Sequence, residues 1–226
     1  MRATQPIRPA AVKGEMGEES RVVSTFDIMA STWHGWRRMS ETEKQSPLTR
    51  AALSTSGSSP KHTPIGFNGR PRPLDADFLA DCPYQSEAVL LDELVEIDKE
   101  RSLVRARMFT RPDLPLTCFQ RVDPVRHPHH VNGGLLVHLT GMLGFVHAYY
   151  VLGLRYREGW IGVGALINKA RYPNMALIGK PLELLLKATD IREGNGKKVV
   201  TYEFLFTQGG NTVFKSNQTA VWLHMP

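Results

Sequence analysis

The chain has few of the features that would mark a membrane protein. Its 226 residues contain no purely apolar run of the eighteen or more residues that a membrane-spanning helix requires. The most apolar stretch, residues 135–154, is interrupted by glycines, by Thr140 and by the histidines His138 and His147. We therefore expect a buried helix in a soluble protein and no membrane span.

Cysteine is also scarce. The two cysteines, Cys82 and Cys118, form no CxxC pair, so the spacing argues against a structural zinc site. Two isolated cysteines fit a reducing, intracellular compartment. We expect no metal and no cofactor.

Positive charge is in excess but is not concentrated. The formal charge is +6, with 11 Lys/Arg against 8 Asp/Glu in residues 1–80 and 17 against 14 in residues 81–226. Without a dense basic block, the sequence does not favour nucleic-acid binding. A mildly basic surface does suit a partner that carries phosphates, such as coenzyme A or an acidic carrier protein.

The first 80 residues differ in composition from the rest. They are rich in Ser, Thr, Pro, Gly and Arg, and residues 54–73 have the composition of a linker. A short helix is possible at residues 22–39. We interpret residues 1–80 as a largely disordered extension that is dispensable for folding, and residues 81–226 as the folded domain.

The folded part predicts one long helix among six strands. Asn132 is a suitable N-cap for this helix and Gly153 a suitable terminating residue. Turn-forming residues separate the strands, most clearly at Glu193-Gly194-Asn195-Gly196. The predicted order is strands 94–99 and 103–109, a loop at 111–132, the helix at 133–152, and strands 161–172, 182–191, 198–207 and 212–223. A single helix this apolar is hidden from water only if the sheet wraps around it.

Local sequence resembles a known family. The segment Ile167 to Tyr172, followed by Gly179 and the Leu-rich residues 182–186, is similar to β-hydroxyacyl-carrier-protein dehydratases of the FabZ type. Residues 130–136 (HVNGGLL) are similar to the helix start of those enzymes and of hotdog thioesterases, including acyl-CoA thioesterases of the FcoT type. The resemblance implies an α+β hotdog fold, in which an antiparallel sheet wraps around one long central helix. It also implies acyl-CoA or acyl-carrier-protein substrates and a homodimer or dimer of dimers.

The resemblance places an active site where the loop meets the helix. Five of the eight histidines lie between residues 127 and 147, and histidine can act as a base near neutral pH. The free N–H groups of a helix start can hold a thioester carbonyl. We expect His130, His138 and the backbone of Gly133 and Gly134 to face one elongated apolar pocket. The candidate catalytic residues are His130, His138 and His127, and the candidate substrate-binding residues are Asn132, Gly133, Gly134, Leu135 and Met142.

One departure from the family leaves the reaction open. Aligning Asn132-Gly133 with the Pro-Gly of the dehydratases puts His138 where those enzymes carry a catalytic Glu. Our first interpretation is a thioester hydrolase. The alternatives are a 3-hydroxyacyl-thioester dehydratase or hydratase that uses His127 or His130 with His138, and a non-catalytic acyl-binding subunit. His138 as a satisfied core histidine is a further alternative.

Overall fold

The computed structural model describes residues 70–225. The predicted short helix at 22–39 and almost all of the predicted linker lie outside the described residues. Two short helices, α1 (Ala76–Asp81) and α2 (Ser86–Val89), precede strands β1 (Glu93–Asp98) and β2 (Leu103–Met108). The long helix α3 (Gly133–His147) continues as one π-helical turn (Ala148–Leu152). Four strands follow: β3 (Trp160–Arg171), β4 (Leu182–Gly194), β5 (Lys197–Gln208) and β6 (Asn211–His224).

The six strands form one antiparallel sheet in the order β1-β2-β4-β5-β6-β3. Register shifts occur in β1, β3, β4 and β6, and such bulges bend a strand and increase its twist. The bent sheet packs on α3. This arrangement is the hotdog fold, and the α+β prediction is confirmed.

Helix α3 is the core of the domain. Asn132 caps its first turn by accepting the N–H of Gly134 at 2.8 Å, and Gly153 ends the helical run with φ of 70°, as the sequence predicts. By length and mean hydropathy, residues 133–152 are apolar enough to cross a membrane, but 56% of this stretch is buried in the domain. It is therefore the buried helix around which the sheet folds.

The folded domain begins earlier than the predicted boundary at residue 81. Arg72 and Leu94 exchange both backbone hydrogen bonds, so the segment before α1 pairs with β1. Asp75 caps α1 by accepting the N–H of Phe78 at 2.9 Å. The ring of Phe78 is buried in the core beside Tyr149 and Tyr150. Residues 72–80 belong to the domain, because they supply core and edge contacts that composition alone did not indicate.

A chain of buried hydrogen bonds anchors the C-terminal end of α3. The indole N–H of Trp222 donates to the hydroxyl of Tyr202 at 3.3 Å. That hydroxyl lies 3.2 Å from Nδ1 of His147, and Nε2 of His147 lies 2.9 Å from the hydroxyl of Ser102. The chain is satisfied with a neutral imidazole that accepts at Nδ1 and donates at Nε2. Burial lowers the pKa of His147 from 6.5 to about 4.

His147 should make folding stability depend on pH. Its pKa is depressed in the folded state, so its contribution is complete above pH 6.5 and is lost as the pH falls towards 4. We expect the free energy of unfolding to lose about 3 kcal/mol from this source over that window.

The measurement is urea unfolding at several pH values of the wild-type protein, of His147→Gln and of the exposed-ring control His224→Gln. The stability difference between wild type and His147→Gln should shrink as the pH falls, whereas the control should run parallel to wild type. A constant difference between wild type and His147→Gln from pH 7 to 4 would contradict the assignment.

Candidate active site

A cleft of about 400 Å³ lies between helix α3 and the edge of the sheet formed by β3 and β6. Small residues create it on both sides. Side chains added at Gly141 and Gly144 on the helix, or at Gly164 on β3, would meet no atom within 4 Å. The glycines therefore leave open space between the helix and the strand, and the cleft occupies this space.

The walls of this cleft are mainly apolar. Trp222 lies flat against Gly162, where a Cβ would come within 2.4 Å of the indole ring. Tyr84 forms a rim, with its ring centroid 5.9 Å from that of His138 and 5.7 Å from that of Phe145. The remaining lining residues are Val137, Thr140, Met142, Val163, Ala165, Leu166, Ile167, Tyr202, Phe204, Gln218, Thr219 and Ala220. An elongated apolar cleft of this size suits an acyl chain.

His138 is the one basic side chain among these lining residues. Its Nε2 lies 2.6 Å from the backbone carbonyl of Ala88. A carbonyl oxygen only accepts, so Nε2 carries the proton and Nδ1 keeps a free lone pair. Within residues 70–225, Nδ1 has no hydrogen-bond partner. His138 is half-buried and is held by one ring nitrogen, so it differs from a core histidine with both nitrogens satisfied.

The loop histidines lie elsewhere. Nδ1 of His127 lies 3.1 Å from the carbonyl of Arg121, and Nδ1 of His130 lies 2.7 Å from the carbonyl of Pro128. Their ring centroids are 4.9 Å apart. Neither residue lines the cleft. These bonds hold the histidines to their own loop and leave their Nε2 atoms as acceptors.

The loop shows no sign of a metal centre. In the described part of the chain, no three His, Cys, Asp or Glu side chains are grouped as metal ligands would be. The carboxylate of Asp123 accepts the N–H groups of Val125 and Arg126 at 3.0 and 2.8 Å. These bonds hold the pKa of Asp123 below its usual value, and its role is to cap the turn that follows it.

The helix start differs from the predicted carbonyl-binding site in one respect. The N–H of Gly134 is taken by Asn132, so of the two predicted glycine donors only Gly133 keeps a free N–H among the described residues. Leu135 is buried in the core. Met142 lines the cleft, whereas Asn132, Gly133 and Gly134 do not. Of the residues predicted to share one pocket, this cleft contains His138 but not His130, Gly133 or Gly134.

Several residues of the cleft were missed from the sequence. Gln218 stands between Ser216 and Ala220 on the face of β6 that points to the helix, and the period-two pattern of a strand could have identified an amide at an inward position. Gly141 and Gly144 interrupt a helix, which usually has a packing or functional reason. Tyr84 gave no signal, because it lies in an irregular segment.

Solved structures with similar folds include enzymes of two kinds. A thioesterase from Pseudomonas aeruginosa is 15% identical, covers 66% of this chain and 93% of its own, with a TM-score of 0.45. The dehydratase heterocomplex ApeI:P from Xenorhabdus doucetiae is 15% identical, covers 69% and 93%, with a TM-score of 0.45. The PaaI protein from the phenylacetic acid degradation operon of E. coli is 13% identical, covers 60% and 85%, with a TM-score of 0.41.

The sequence comparisons add no closer relation. No protein-family profile matches the chain, and no curated protein matches it in sequence. The assignment of the fold rests on the strand order and the central helix.

Proposed function

We propose that the protein hydrolyses acyl thioesters of coenzyme A or of an acyl carrier protein, with His138 as the general base. The observation that carries this proposal is the position of His138, which lines an apolar cleft, with its Nε2 fixed by the Ala88 carbonyl and its Nδ1 without a partner in residues 70–225. A base oriented by a second hydrogen bond is the arrangement that general-base catalysis requires.

The proposed reaction uses water and one histidine. Nδ1 of His138 takes a proton from a water molecule as the water oxygen attacks the thioester carbonyl carbon. The Ala88 carbonyl stabilises the imidazolium that forms, because it accepts the Nε2 proton. When the C–S bond breaks, the imidazolium returns the proton to the leaving thiolate. The products are a carboxylic acid and a free thiol.

The composition of the cleft bears on the alternatives. None of its lining residues is Asp or Glu, and the dehydratases that the sequence resembles pair a histidine with a carboxylic acid. The small hotdog thioesterases that the sequence also resembles use an acid too, and its position falls on Gly141, so the missing carboxylate does not separate the two reactions. Hydrolysis is our first proposal because one base and a water molecule suffice for it, whereas dehydration needs both a base and an acid. A non-catalytic acyl-binding subunit remains the alternative that a missing acid favours, and turnover separates the two.

Replacing His138 should abolish most thioester hydrolysis. We expect His138→Ala to lower kcat/KM by roughly 10²-fold or more, as for the loss of a general base, in a protein that stays folded and melts cooperatively. The assay follows free thiol from acyl-CoAs of graded chain length, and separately enoyl absorbance from 3-hydroxyacyl-CoAs.

His130→Ala is the matched comparison, because it removes an imidazole that does not line the cleft. Its turnover should stay within a few-fold of wild type. If activity is lost in His130→Ala and kept in His138→Ala, the active site lies at the start of the helix and not in the cleft. Enoyl formation without thiol release would indicate the dehydratase, and binding without either product the acyl-binding subunit.

We also propose that the chain forms a homodimer through the free edge of β3. The opposite edge of the sheet, at β1, is partly covered by its pairing with Arg72. Strand β3 is 12 residues long and pairs only with β6 in the described sheet. Leu166 and Ile167 on β3 are exposed. A long bare edge with exposed apolar side chains favours pairing with another strand.

Charge placed on this edge should separate the two copies. Light scattering should give wild type twice the chain mass of 25.3 kDa, and Ile167→Lys the single mass, because two like charges would meet across a two-fold axis. Ile191→Lys, at an exposed isoleucine of β4, is the control and should remain dimeric. A monomeric wild type at micromolar concentration would overturn the dimer.

A further inference from the structure

We propose that Gln218 is a second catalytic residue, whose side-chain N–H binds the thioester carbonyl oxygen opposite His138. This rests on the proposed hydrolysis and identifies the group that the cleft would otherwise lack, a donor for the oxygen that gains negative charge. Gln218 lies on β6, between Tyr202 of β5 and Ile167 of β3 in the sheet register. Its amide lies in a cleft whose walls are mainly apolar.

The hydrogen bonds around Gln218 leave one N–H unused. The hydroxyl of Ser216 donates to the carbonyl of Lys169 at 2.8 Å, so towards Gln218 it can only accept. The group that faces it at 3.0 Å is therefore Nε2 of Gln218, which donates one of its two protons. The second Nε2 proton has no partner in the described chain.

The oxygen of the Gln218 amide is also incompletely satisfied. It accepts from the hydroxyl of Thr140 at 3.1 Å, but it shares that single proton with the carbonyl of Val137, which lies 2.6 Å from the same hydroxyl. Thr140 is buried, and its shared hydrogen bond holds the amide in place. A half-buried amide with unused hydrogen-bonding capacity is costly unless a ligand completes it.

The position of Gln218 relative to His138 follows from the geometry of the helix. Successive residues of an α-helix lie about 100° apart around the helix axis. His138 and Thr140 are two positions apart, so they lie on opposite flanks of the helix face that borders the cleft. Viewed along the helix axis, Gly141 lies between these two residues, and it has no side chain to fill the gap. A carbonyl placed over Gly141 has the imidazole on one side and the amide, positioned by Thr140, on the other.

At this position the N–H of Gln218 would stabilise the transition state more than the bound substrate. As water adds to the carbonyl carbon, the C=O π electrons move to the oxygen, and the N–H of Gln218 stabilises that charge more than it stabilises the ground state. Loss of one such donor typically lowers kcat by about 10²–10³-fold. The effect should appear in kcat and leave KM nearly unchanged.

The test removes the donor and keeps the shape. Gln218→Met has no N–H, and Gln218→Glu replaces the amide with a carboxylate that repels the oxyanion. Asn217→Met is the matched control, because that amide is hydrogen-bonded to Asn168 on β3. We expect about 10²-fold lower kcat for both Gln218 variants, and turnover near wild type for the control, with melting temperatures that show folded protein.

A binding measurement decides the assignment even without turnover. The probes are S-(2-oxoalkyl)-CoA, which carries a carbonyl but no scissile bond, and S-alkyl-CoA of equal chain length. Calorimetry should show wild type and Asn217→Met preferring the ketone by about fivefold, as one hydrogen bond predicts, and Gln218→Met showing no preference.

The outcomes separate this inference from the proposed hydrolysis. If His138→Ala is inactive while Gln218→Met keeps wild-type kcat and the preference for the ketone, Gln218 is not the carbonyl-binding residue and the hydrolase proposal stands. If wild type releases no thiol, the hydrolase proposal falls. In that case, a preference for the ketone that wild type shows and Gln218→Met loses still supports carbonyl binding by Gln218. A preference that Gln218→Met keeps, or that wild type does not show, overturns carbonyl binding by Gln218.

Discussion

The structure depends on burying one apolar helix that, within residues 70–225, no second long helix covers. Residues 133–152 carry leucine, valine and aromatic side chains on almost every face, and their burial is the main favourable free energy available to a domain of this size. A flat sheet would cover one face. The bulged six-stranded sheet bends around the helix, and the segment from Arg72 to Val89 covers part of what the sheet leaves open.

The cleft lies where this cover is incomplete. Glycines at 141, 144 and 164 remove side chains from the line along which the helix meets β3, so the same apolar surface that drives folding is left accessible to an apolar ligand. Polar groups within such a surface are costly unless paired. The half-used hydrogen bonding of His138 and Gln218 at this position is the physical reason to regard the cleft as a site for chemistry.

The elements were largely predictable from the sequence, because their signals are local. The N-cap at Asn132, the Gly153 terminus and the Asn195-Gly196 turn each act within a few residues, and the strand pattern repeats every second residue. The start of the domain was not predictable, since Phe78 packs against Tyr149 and Tyr150, about seventy residues later in the chain. The site was half predictable: His138 was identified, but its carbonyl partner Ala88 and the facing amide come from distant parts of the chain.

The central claim is that the thioester lies in the cleft between α3 and β3 and not at the start of the helix. The most direct test is a crystal structure of the full chain with S-(2-oxoalkyl)-CoA. The account predicts the ketone oxygen within hydrogen-bonding distance of Gln218 Nε2, over Gly141, with Nδ1 of His138 facing the ketone carbon. A ligand whose carbonyl instead sits on the N–H of Gly133, beside His130, with the cleft empty, would contradict it.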